Sequence, residues 1–150
     1  MSDGGTYTLL IERTAGGALT VGALGEIEFP AGWYAYTGSA LGPGGFSRID
    51  RHERVAAGEH DARHWHVDYL LGDPDSRLDD VVRSPGADVE CAVARAVDGD
   101  ATPEFGCSDC DCDSHLAYRE DRAALVDAVE RAHREADRRE ASERANGSER

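Results

Sequence analysis

Lysine is absent from this 150-residue chain, and all 16 of its basic residues are arginine. Any cationic site is therefore built of guanidinium groups. No run of about 18 apolar residues occurs, which excludes an apolar helix spanning a bilayer. The first residues, Met1-Ser2-Asp3-Gly4-Gly5, carry neither a basic region nor a hydrophobic signal core, so the expected location is cytoplasmic. There is no internal repeat. Positive charge is scarce: 30 acidic residues oppose 16 basic ones, for a net charge of −14. What remains is globular in composition. Apolar residues make up 40%, too many for a disordered chain, and the length suits one domain with one core.

A charge of −14 repels phosphates and argues at first against a nucleic-acid partner. In a very salty cytoplasm, however, repulsion is screened within roughly 3 Å at 1 M salt. Lysine depletion with excess carboxylate and many small residues resembles proteins of salt-loving microbes. The acidity is thus read as adaptation to solvent, and it does not veto a local basic site. One such segment, residues 46–54, is net positive through Arg48, Arg51 and Arg54.

Residues 6–11 are β-rich, and Leu19-Thr20-Val21 and Glu26-Ile27-Glu28-Phe29 alternate as edge strands do. Trp33 to Thr37 reads as a central strand, so residues 6–37 are expected to form an antiparallel meander. The glycine-rich turn through Gly38-Ser39-Ala40 and Gly42-Pro43-Gly44-Gly45 leads into a helix over 46–57. Arg48 and His52 stand i, i+4 there and share a face. His64 to Leu71 is apolar enough for a buried helix or strand, and Asp79 to Arg83 reads as a strand. Glu90 to Val97 and 119–139 have helical periodicity. The expected architecture is one α+β domain over 1–140, a small, mostly antiparallel sheet flanked by helices. The polar residues 141–150 are expected to form a disordered tail.

A strand, a glycine-rich turn and an arginine-bearing helix can meet a phosphate. Cutting a phosphodiester also needs an activated water and charge stabilisation. Arg48 suits the non-bridging oxygens, and Glu90 suits a single Mg²⁺ or Mn²⁺ with waters completing its shell. Tyr7, Tyr36 or His52 is placed to take or relay the proton. Taken one at a time, Tyr7 and Tyr36 are also ordinary sheet residues, Arg48 a solvated helix residue, and Glu90 a complement to a helix dipole.

Gly5-Thr6-Tyr7 and Tyr36-Thr37-Gly38 resemble the paired tripeptides of the GIY-YIG nuclease superfamily. Arg48, His52 and Glu90 follow in the family's order. A closer resemblance is to a small archaeal and bacterial branch known as a domain of unknown function, sometimes fused to an endonuclease III-type glycosylase. It rests on Tyr34 to Ala40, His64 to Leu71 and Gly106 to Leu116, and covers about residues 5–118. The resemblance implies a GIY-YIG-like fold and a one-metal hydrolysis of DNA, in repair, beside a repair-protein partner and away from membranes. Gly38, Ser39, Arg51, Arg54, His64 and His66 are the expected nucleic-acid contacts. The stretch between the tripeptides, residues 8–35, is longer than the superfamily's compact hairpin.

Two other readings stay open. One is a nucleic-acid-binding module without catalysis. The other centres on Cys107, Cys110, Cys112 and His115, which offer three thiolates and an imidazole to Zn²⁺ or another soft metal, or form a redox loop. In a cytoplasmic protein the cysteines, Cys91 included, read as thiols or ligands rather than structural disulfides.

Overall fold

A computed structural model describes residues 4–40, 45–59, 66–85, 89–97, 100–101 and 115–148. The long apolar strand β1 (Gly5–Arg13) lies between β4 (Gly32–Ser39) and β5 (Ser76–Pro85). On the far side of β4 comes β7 (Leu116–Arg119), then the short β6 (Asp100–Ala101), giving the order β5-β1-β4-β7-β6. Every pairing in this sheet is antiparallel. The α+β class expected from the sequence therefore holds, and β4 is central as its apolar run implied.

The expected meander does not form. β2 (Gly17–Thr20) and β3 (Glu26–Phe29) pair only with each other, as a separate two-stranded sheet joined through a 3-10 turn, Gly22–Leu24. Their alternate residues face solvent, and only one side of the pair, carrying Leu19 and Ile27, packs on the core. Both lateral edges of β1 are already taken by β4 and β5, each eight residues or longer. A half-exposed four-residue strand cannot displace either.

Strand alternation sends residues to two cores. Tyr7, Leu9, Ile11, Tyr34 and Tyr36 pack under α1 (Ser47–Ala56) and α2 (His66–Leu71) through Ile49, Val55, Val67, Leu70 and Leu71. Leu10 and Ala35 face the other way, against α3 (Glu90–Ala96) and α4 (Arg122–Ser148) through Val93, Leu125, Val129 and Ala132. The sheet is thus covered on both faces. α4 continues past residue 139, its expected end, to Ser148.

Candidate active site

Tyr7 starts the site. It sits near the beginning of β1, opposite Gly38 near the end of β4, and two residues along β4 is Tyr36 on the same face. Both phenols are buried. α1 crosses above them and lowers His52, itself 1% exposed, onto the pair. Nε2 of His52 is 2.8 Å from the Tyr7 hydroxyl, and the His52 ring meets Tyr36 edge-on at 6.4 Å between centroids. Arg48, one turn earlier on the same face, donates to the Ser39 carbonyl and reaches the Tyr7 hydroxyl. Arginine only donates. Tyr7 therefore accepts from Arg48 and donates to Nε2 of a neutral His52.

Electrostatics agree with that proton placement. Burial is the main reason that the Tyr7 phenol is raised above its ordinary value of 10.0, and Arg48 pulls the other way. Burial likewise raises Tyr36 well above it. His52 is lowered to about 4, again chiefly by burial, with Asp68 opposing the shift. Near neutral pH both phenols keep their protons and His52 stays neutral.

Glu90 enters from the opposite side. The N–H of Val89 donates to the Thr6 hydroxyl at 3.0 Å, which fixes the start of α3 against the first residues of β1. The Glu90 carboxylate is then close enough to raise both tyrosines. Nδ1 of His115 lies 3.8 Å from it, but burial lowers His115, so near neutral pH this is not an ion pair. The Thr37 N–H donates to the His115 carbonyl and ties that residue to β4. The carboxylate itself is one quarter exposed, at 26%.

The five residues expected to carry the chemistry, Tyr7, Tyr36, Arg48, His52 and Glu90, thus gather at one end of the sheet. The residues expected to contact nucleic acid fare differently. Gly38 lies under Tyr7, and Ser39 contributes its carbonyl to Arg48. Arg51 is committed to Asp68 on α2 through two bonds of 3.1 and 3.0 Å. Arg54 is exposed in the last turn of α1. His66 opens α2 and is half-buried, which lowers its pKa. It begins a helix, so the same-side alternation that a strand would give His64 and His66 does not apply to it. His64, Cys107, Cys110 and Cys112 lie outside the described residues. Among the described residues no group of three or more His, Cys, Asp or Glu side chains is placed to hold a metal.

Two buried groups stand outside the expected set of site residues. Asp68 is fully buried and holds Arg51 beneath the site. His133 on α4 bonds the hydroxyls of Thr8 (2.8 Å) and Ser84 (2.7 Å), and Thr8 bonds Thr37 at 2.9 Å. Thr8 and Thr37 immediately follow Tyr7 and Tyr36, so this network fastens the tyrosine strands from behind. Sequence signals for both existed: a carboxylate inside the apolar run 67–71, and a histidine on the Leu125, Val129, Ala132 stripe.

A family model described as domain of unknown function DUF123 matches residues 6–138. The chain belongs to that family. No curated protein and no solved structure matches this DUF123 chain. No described helix is long and apolar enough to cross a membrane.

Proposed function

We propose that this DUF123 chain is a metal-dependent endonuclease of the GIY-YIG type, hydrolysing phosphodiester bonds in DNA. The reading extends to cytoplasmic DNA repair beside a repair-protein partner. One observation carries it: an arginine, a partly exposed carboxylate, and a tyrosine bonded to a neutral histidine meet around a second tyrosine. Those are the parts that phosphodiester hydrolysis needs.

Glu90 fits Mg²⁺ or Mn²⁺ held largely by water, because such ions take one or two carboxylates plus substrate oxygens, and this carboxylate is open to solvent. An ion held there supplies Lewis-acid stabilisation of the phosphate. Arg48 neutralises charge on the non-bridging oxygens. Neither tyrosine is a phenolate near neutral pH, so proton removal runs through the pair. As water attacks phosphorus, its proton passes to the Tyr7 oxygen while the Tyr7 proton moves to Nε2 of His52. Asp68 favours the resulting imidazolium. The departing oxygen takes its proton from solvent.

The test is nicking or flap cleavage with Mg²⁺ or Mn²⁺ in molar KCl, comparing wild type with Glu90→Ala and Arg48→Ala. Each variant is expected to lose about 100-fold or more of the rate. Equal activity in all three eliminates this assignment.

A second reading, DNA binding without cleavage, draws on the separate sheet β2–β3 inserted between the two tyrosine strands. It predicts salt-sensitive binding that Glu90→Ala leaves intact, and no turnover with either metal.

A further inference from the structure

Across the β1–β5 pairing Tyr7 faces Arg83. Directly paired residues of antiparallel strands project from the same face, with Cβ atoms about 5 Å apart. Arg83 therefore leaves the sheet on the side that carries Tyr7, Tyr36 and Gly38, one strand further out. It is exposed. Its guanidinium carbon lies 5.8 Å from the centre of the Phe46 ring. Phe46 directly precedes α1 and packs on the core cluster containing Tyr7, Tyr36 and Ile49. The arginine thus rests on an anchored aromatic platform, which limits the rotamer entropy that an exposed side chain loses on binding a ligand.

Several other described arginines are used differently. Arg13, Arg51, Arg77 and Arg122 are each bonded to a carboxylate. Among the described residues Arg83 is paired with none, in a chain with nearly twice as many acidic as basic groups. A groove of about 440 Å³ runs between α1 and β5, with Arg83 in its wall. Glu53, Asp79 and Asp80 line it further along, together with Arg77, whose charge is taken by Glu12 and Asp79. Of the two arginines in that wall, Arg83 is the one whose charge is not taken by a described carboxylate.

We propose that Arg83 is a second phosphate-binding residue, gripping the backbone phosphate next to the one held by Arg48. This deepens the nuclease reading and rests on it for the identity of the ligand, a nucleic-acid backbone. Arg48 reaches the Tyr7 hydroxyl from α1, while Arg83 approaches from β5. Two guanidinium groups on neighbouring elements of one face hold a strand at two points and so orient it across the site. Arg83 touches no reacting atom in this scheme, and its part is binding.

The experiment is a binding titration by fluorescence anisotropy, using a labelled DNA duplex with unpaired arms and EDTA in place of metal. Wild type, Arg83→Ala and Arg83→Lys are compared from about 0.2 to 2 M KCl, with thermal melts checking that each is folded. Arg83→Ala is expected to bind about 10-fold more weakly at the lowest salt. Its plot of log affinity against log salt should be shallower by about 0.7 to 0.9, the slope of one lost phosphate contact. Arg83→Lys, which keeps the charge, should restore the slope. Cleavage with Mg²⁺ is followed in parallel. A wild type that binds with an Arg83-dependent slope yet never cuts sinks the nuclease reading and supports the grip. A slope unchanged in Arg83→Ala, or a wild type that binds no DNA, overturns the grip.

Discussion

The main chain of Gly38 lies directly beneath the Tyr7 phenol. A Cβ added at Gly38 would stand 2.6 Å from the Tyr7 oxygen and 2.8 Å from the ring carbon that bears it. Real Cβ contacts do not come under 3.0 Å, so the tyrosine reaches His52 only because this position has no side chain. Gly38 is needed here for close approach, since its backbone is ordinary strand.

Gly38→Ala is therefore expected to fold, because the added methyl is small and β4 keeps its pairings. It should displace the Tyr7 hydroxyl from His52 and lower kcat about 100-fold, the scale of a misplacement near 1 Å. Tyr7→Phe, which removes the hydroxyl without moving the ring, should lose about as much. A Gly38→Ala protein as active as wild type would show that the Tyr7–His52 contact has no part in turnover.

Arg51 and Asp68 couple α1 to α2 beneath the site. Asp68 has a fully buried side chain, and Arg51 is its bidentate partner. Truncating the arginine strands a charge in the interior, at a cost of about 3 to 5 kcal/mol. Arg51→Ala should lower the melting temperature by roughly 10 °C. Arg51→Ala combined with Asp68→Asn should recover part of that loss, because the stranded charge is gone. A double variant less stable than Arg51→Ala alone would contradict this account.

His52 makes stability depend on pH. Its folded pKa of about 4 lies below the ordinary 6.5, with burial as the main cause. Between those values the unfolded chain binds a proton that the folded chain refuses. The stabilisation is complete above pH 6.5 and is lost as pH falls towards 4, by about 3 kcal/mol in total. His66 and His115 are shifted in the same direction, so the wild-type curve combines all three. Urea denaturation of wild type and His52→Gln across this window isolates the His52 share. Wild type should lose more stability than the variant, and parallel curves would refute the assignment.

Periodicity made part of this legible beforehand. Spacing i, i+4 put Arg48 and His52 on one helix face, and the apolar run 33–37 marked the central strand. The α+β class followed from the order of such segments. What spacing does not carry is the identity of a partner far away in the chain. His52 meets Tyr7 across 45 residues and His133 meets Thr8 across 125. Neither meeting leaves a local trace. The meander expected over 6–37 failed for a related reason: alternation marks a half-buried strand without saying which edge is open to it. Arg51 looked like a phosphate contact because it is a cation beside Arg48, and only the fold reveals the buried Asp68 opposite.

The hydroxyl chain from Ser84 through His133 to Thr8 and Thr37 has a consequence for the order of assembly. Strands β5, β1 and β4 are fastened together behind the tyrosines by a side chain that emerges from the ribosome long after them. Contacts of such long sequence separation form late and slowly. A nascent chain that ends before residue 133 can pair its strands but cannot lock them. The backing behind Tyr7 and Tyr36 is thus complete only once α4 has docked.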